Sequence, residues 1–134
     1  MISVTILTKN SDKYLDKVLS ALVSFDEVVI FDTGSTDKTE TIAKSFSNVS
    51  WHSGSFKWFG PTHNEASSLA KHDWILSLDS DEVMTEELAS EIFSLVVDEQ
   101  TAYSFWRKIF YHGRHIWACG WYPDRVSRLA LVVR

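Results

Sequence analysis

The run Asp79-Ser80-Asp81-Glu82 follows directly on the apolar stretch Trp74-Ile75-Leu76-Ser77-Leu78. Two carboxylates two positions apart can divide the handling of a nucleotide diphosphate. Hard divalent cations prefer oxygen ligands, and one or two carboxylates suffice where phosphate oxygens complete the shell. Asp81, with Asp79, is therefore expected to bind Mg²⁺ or Mn²⁺, while Asp79 and Ser80 can meet ribose or sugar hydroxyls. A cation held there neutralises a departing diphosphate. A second polar run, Asp32-Thr33-Gly34-Ser35, offers a carboxylate that can accept from a base N–H or a ribose hydroxyl. Gly34 lets the backbone come close or take a positive φ. A third is Thr8-Lys9-Asn10. Thr62 and Glu65 form a capping-box pattern that predicts a helix start, with His63 and Asn64 in a first turn whose free N–H groups favour an anion.

Singly, these signals are weak. Acidic turns after strands are common, Asp32-Thr33-Gly34-Ser35 reads equally as a turn with a helix cap, and a lone histidine is more often a surface residue. Their recurrence at three strand ends, spaced as successive βα units, points to one crevice.

The elements that must position them alternate. Ser3–Thr8 is a short β-branched run of the kind that fills a buried parallel strand, and Glu27–Asp32 is another. Between them, Leu15, Val18, Leu19 and Leu22 recur at helical spacing behind Ser11 or Asp12 as a cap. Asp37 and Glu40 predict a helix start before Ile42, Ala43 and Phe46. A short strand is expected over Val49–His52, a loop over Gly54–Pro61, and a helix through Ala66, Leu69 and Ala70. Asp73–Asp79 is the strongest strand signal. Thr85, with Glu86 and Glu87 behind it, opens a helix carrying Leu88, Ile92, Leu95 and Val96. From Tyr103 the pattern turns to alternation, and His112-Gly113-Arg114 reads as a hairpin turn. The expected fold is α/β, a mostly parallel sheet flanked by helices with an appended C-terminal β-hairpin. Residues 1–100 would form a nucleotide-sugar-binding half and 101–134 a hairpin opening an acceptor-side region, together one domain.

Bulk properties narrow the field. The 134 residues are enough for one domain with its own core. A net charge of −5 argues against non-specific nucleic-acid binding, and the single Cys119 forbids an internal disulfide or thiolate cluster. Met1–Leu7 lacks a basic flank and is too short for a leader or a spanning helix, so the expected location is cytoplasmic.

Ser3–Asn10, Val28–Thr39, Asn64-Glu65-Ala66 and Asp73–Glu82 together resemble the inverting family 2 glycosyltransferases of GT-A fold. Gly120–Arg125 with Arg128-Leu129 looks like the subgroup containing bacterial lipopolysaccharide inner-core β-1,4-glucosyltransferases. The resemblance implies that Thr8 and Asn10 lie near the base, Asp32 at base or ribose, Asp79 at ribose or donor sugar, and Asp81 on the metal. It implies that Trp121 and Arg128 shape the donor and acceptor pocket. The expected donor is a UDP-sugar. The acceptor would be a saccharide or glycolipid, with peripheral contact at the cytoplasmic face of the inner membrane. Two departures stand out. His63 occupies a position where relatives carry Arg, trading a permanent, forked charge for a partial one. The relatives' general base lies beyond the segment matching Trp121–Leu129, and the sequence stops at Arg134, so the acceptor-side region is expected to be incomplete. Asp124 is then the best candidate base, with Glu82 behind it. The rival readings are a non-catalytic nucleotide-sugar-binding fragment and a sugar-nucleotide nucleotidyltransferase. The latter is disfavoured because no glycine lies in Thr8–Asp12.

Overall fold

The computed structural model describes residues 1–95, 103–107, 110–111, 114–115 and 124–131. Three apolar runs become its central parallel strands: β1 (Ile2–Thr8), β2 (Glu27–Asp32) and β4 (Trp74–Asp79). Every residue of β2 is buried, as a strand covered on both faces requires. β3 (Val49–Ser53) adds to the outer side of β2 in parallel. Beyond β4 the sheet turns antiparallel with β8 (Asp124–Leu131) and then β5 (Tyr103–Arg107), giving the order β3-β2-β1-β4-β8-β5.

The expected mostly parallel sheet is present. The hairpin is the separate ribbon of β6 (Phe110–Tyr111) and β7 (Arg114–His115), paired Phe110 to His115 and Tyr111 to Arg114. His112 and Gly113 of its turn lie outside the described residues. The late strands do more than append: β8 covers the edge of β4 that a four-stranded sheet would leave open, and β5 pairs with β8 beyond it.

Short helices close the faces. α1 (Leu15–Ser20) buries Leu15, Val18 and Leu19, and α2 (Thr39–Lys44) buries Ala43. α3 (Phe59–Ser68) turns Ala66 inward, and α4 (Glu86–Ser94) buries Ala89 and Ile92. These side chains meet Val4, Ile6, Val28, Ile30 and Leu76 from the strands in one core. At the other end of the sheet Glu27 is buried, and its carboxylate accepts from the Ser3 hydroxyl at 2.6 Å and the Lys71 N–H at 2.8 Å. A buried acid is tolerable where such donors replace water.

Three local expectations change. Ser11 and Asp12 give α1 no side-chain cap; the Ser11 hydroxyl turns to its own loop instead. Asp37 and Glu40 do not form a capping box. Asp37 accepts from the Thr39 N–H at 3.0 Å, while Glu40 pairs with Lys44 one turn on. α3 begins at Phe59, three residues before Thr62. Thr62 is fully buried, and its hydroxyl accepts from the Lys57 N–H at 2.9 Å, holding the entry turn from inside. Pro61 sits in the first turn, where the missing N–H costs nothing. Thr85, by contrast, caps α4 as expected, accepting from the Leu88 N–H at 3.2 Å.

Candidate functional site

The chain steps outward from β1 through β2 to β3, then returns to place β4 on the other flank of β1. Strand order reverses at β1, so the crevice for a ligand opens beyond the carboxyl ends of β1 and β4. Register brings the polar ends level, with Thr8 beside Asp32 and Leu7 beside Asp79. A cleft of about 570 Å³ lies there. Its lining comes from the loop after β1, with Lys9 to Ser11, Lys13 and Tyr14, from the turn after β4, with Asp79, Ser80 and Asp81, and from α3, with Phe59 and His63.

Of the residues singled out by sequence, Asn10, His63, Asp79, Ser80 and Asp81 line this cleft, whereas Thr8, Asp32, Gly34 and Asn64 do not. Asp32 is buried at 4% exposure, and all its acceptor capacity is spent internally. One oxygen accepts from the Thr8 hydroxyl at 2.7 Å and from the Ser35 hydroxyl. The other accepts from the N–H groups of Ser35 at 2.8 Å and Gly34 at 3.1 Å. Burial disfavours the charge, but the bonds from Ser35, Thr8 and Gly34 outweigh it and hold the carboxyl below its ordinary range. Gly34 has φ +116°, the conformation its smallness allows.

This turn is laced to the loop after β1. The Asn10 N–H donates to the Ser35 hydroxyl at 2.7 Å, and the Asn10 side-chain oxygen accepts from the Thr36 N–H at 2.8 Å. Asn10 itself is left-handed, at φ +50°, which asparagine tolerates better than most. The Ser11 N–H reaches the Thr39 hydroxyl at 2.8 Å. Asp32 and Asn10 therefore tie the turn after β2 to the loop after β1, and Asn10 also lines the cleft.

The acidic run forms a tight turn. Glu82 accepts from the Asp79 N–H at 2.7 Å, and the Glu82 N–H returns a bond to the Asp79 carbonyl at 3.1 Å. Glu82 is thus committed to the turn, which weakens its case as a base, while Asp79 and Asp81 are exposed. Among the described residues no cluster of three His, Cys, Asp or Glu side chains could enclose a metal. The fit is to a partial site: two exposed carboxylates that leave room for phosphate oxygens. His63 is half-buried in the second turn of α3, so the offer of free first-turn N–H groups to an anion falls to earlier residues.

Lys9, Lys13, Tyr14 and Phe59 were missed as cleft residues. The lysine ammonium of Lys13 stands 5.1 Å from the centre of the Tyr14 ring. Their signal was present, since two lysines in the loop after a first strand suit an anionic ligand. Asp124 opens β8, whose antiparallel course beside β4 carries that end toward the edge where β4 finishes. The side chains of Asp124 and Arg128, and all of Trp121, lie outside the described residues.

Comparison with known proteins agrees with this architecture. An uncharacterized glycosyltransferase of Rickettsia bellii is 35% identical over 94 residues, covering 68% of this chain and 31% of its own length. The structure of Staphylococcus aureus TarS 1–349 in complex with UDP-GlcNAc superposes with a TM-score of 0.62 at 28% identity, over 69% of this chain and 30% of that one. Glucosyl-3-phosphoglycerate synthase from Mycobacterium tuberculosis, in complex with Mn²⁺, UDP and phosphoglyceric acid, gives 0.53 at 25% identity, over 62% and 34%. The chain thus spans about a third of each of these relatives. Residues 3–131 match the family described as Glycosyl transferase family 2, and the chain belongs to it.

Proposed function

We propose that this chain carries the donor-binding half of a glycosyltransferase that moves a sugar from a nucleotide diphosphate, a UDP-sugar in our reading, to a saccharide or glycolipid acceptor with inversion. The observation that carries the reading is the cleft at the strand-order reversal, which gathers Asp79 and Asp81 together with Lys9, Lys13 and His63. Acids and cations gathered in one cleft suit a diphosphate: the cationic side chains can meet phosphate oxygens directly, and the carboxylates would hold a divalent ion that neutralises the phosphates. That UDP-GlcNAc binds staphylococcal TarS, and Mn²⁺ with UDP the mycobacterial synthase, supports both the donor class and the metal.

In this mechanism Asp81 and Asp79 would hold Mg²⁺ or Mn²⁺, which when bound would supply charge neutralisation for the leaving diphosphate. Lys9, Lys13 and His63 share that load. Asn10, fixed by Ser35 and Thr36, and the Asp32-ordered turn shape the nucleoside end, while Ser80 and Asn64 remain available to donor hydroxyls. A base takes the proton of an acceptor hydroxyl. The freed oxygen forms a bond to the anomeric carbon as the bond from that carbon to the diphosphate oxygen breaks on the opposite face. Asp124 is our candidate for that base, with Trp121 and Arg128 on the acceptor side. Residues 1–100 would hold the donor and 101–134 begin the acceptor region. We place the reaction in cell-envelope polysaccharide or lipopolysaccharide synthesis, at the cytoplasmic face of the inner membrane. None of the described helices is long and apolar enough to cross a membrane.

Incubation with UDP-glucose and Mn²⁺, followed by detection of released UDP and of transferred sugar, tests turnover. Release that depends on Asp124 supports the catalytic reading. Donor binding without any turnover would instead identify a nucleotide-sugar-binding segment that needs its base from elsewhere.

A further inference from the structure

Among the described residues that line the cleft, two carry a benzene ring, Tyr14 and Phe59, and neither takes part in the binding of diphosphate or metal argued above. The Tyr14 ring is already engaged, with the Lys13 ammonium 5.1 Å from its centre. Phe59 is different. It is 69% exposed, so the core does not hold it. Phe56 braces its ring in a T-shaped contact, with the centroids 5.2 Å apart and the planes at 79°. The backbone beneath it is fixed as well. Trp58, the residue before, has φ +67° and ψ 166°, a region that belongs almost wholly to glycine. Thr62 holds that strained turn, donating its N–H to the Trp58 carbonyl at 3.1 Å and accepting the Lys57 N–H on its hydroxyl at 2.9 Å. A rigid mount thus presents an apolar ring to a cleft lined mainly by charged and polar side chains.

We propose that Phe59 is the nucleobase platform of the cleft, the ring on which the flat face of the donor's base stacks. The inference rests on the donor-binding reading above and adds a residue to it. A benzene ring has no donor or acceptor for phosphate oxygens or sugar hydroxyls, so what it offers is a π face and apolar area. In a nucleotide-sugar, the base is the part that is flat and unsaturated. Position along the sheet agrees. The segment that carries Phe59 leaves β3 beside Asp32: Ser53 pairs with Asp32 in register, and the Gly54 N–H donates to the Asp32 carbonyl at 2.9 Å. Gly54 also packs so closely on Phe31 that a Cβ there would stand 2.6 Å from its ring. The turn is therefore rooted on the β2–β3 side of β1, where the nucleoside end is assigned, whereas Asp79 and Asp81 follow β4 on the other flank. A donor laid across the strand ends would put its base toward Phe59 and its diphosphate toward the acids. An acceptor sugar must approach the anomeric carbon, which lies past the diphosphate from the base, so Phe59 is on the wrong side for it.

The test is calorimetric titration of the full chain, in the presence of Mn²⁺, with UDP and separately with inorganic pyrophosphate. Pyrophosphate shares the diphosphate and lacks the base. Phe59→Ala should weaken UDP binding roughly tenfold or more, the scale of losing one base–aromatic stack, and leave pyrophosphate binding unchanged. Phe59→Tyr keeps the π face and should bind UDP as the wild type does. Retained pyrophosphate binding also shows that the Phe59→Ala chain is folded. Equal weakening of UDP and pyrophosphate in Phe59→Ala overturns the inference, because the ring would then only support the shape of the cleft. Wild-type UDP affinity in that variant overturns the inference alone and leaves the donor reading standing. A wild type that binds no UDP removes the donor reading itself, and this inference with it.

Discussion

Asp32 is buried and accepts four internal hydrogen bonds, whereas Asp79 and Asp81 stand exposed in the cleft. The difference separates their mutants. Asp32→Ala strands donors from Thr8, Gly34 and Ser35 and should destabilise the fold by roughly 2–4 kcal/mol, seen as a lowered midpoint in urea. Because the folded carboxyl is held below its ordinary value near 3.8, its contribution is fully present above that pH. It is lost as pH falls below, so acid titration of the wild type should show a stability loss there that Asp32→Ala lacks. His63 makes the opposite case. Replacing it by Arg restores a permanent, forked charge at a cleft position and should tighten UDP binding on the order of tenfold, measured by calorimetry. A His63→Arg protein with unchanged affinity would remove this side chain from the diphosphate site.

At the scale of elements, α3 is the instructive one. Thr62 with Glu65 carries the pattern of a cap, yet the helix starts at Phe59 and Thr62 bonds backward to Lys57 from a buried position. Pro61 was the legible clue, since proline is at home inside a first turn. The strands were plain because buried parallel strands demand continuous apolar runs, and Glu27–Asp32 and Trp74–Asp79 supply them. Their acidic ends were plain for the same reason. What could not be read was which acid faces the cleft and which folds the loop, since that depends on the Ser35 and Thr8 hydroxyls meeting across two loops. The strain at Trp58 was equally invisible, being a property of backbone torsion. Trp58→Gly should raise the midpoint of thermal unfolding by about 2–6 °C, the relief of strain exceeding the entropy that glycine adds to the unfolded chain.

Across the whole molecule, topology and not any single motif builds the site. The order β3-β2-β1-β4 opens a cleft at β1, and the register that sets Leu7 beside Asp79 and Thr8 beside Asp32 brings three loops to one rim. The buried Glu27, bonded to Ser3 and Lys71, ties down the opposite end of the same strands. A family 2 chain folded in this way should take a nucleoside diphosphate and a divalent cation together, each completing the other's site. Calorimetric titration with UDP, with and without Mn²⁺, on the wild type and Asp81→Asn tests that coupling directly. The expected result is saturable binding that requires Mn²⁺ and weakens roughly tenfold or more in Asp81→Asn. Failure to bind UDP, or binding indifferent to both the cation and Asp81, would contradict it.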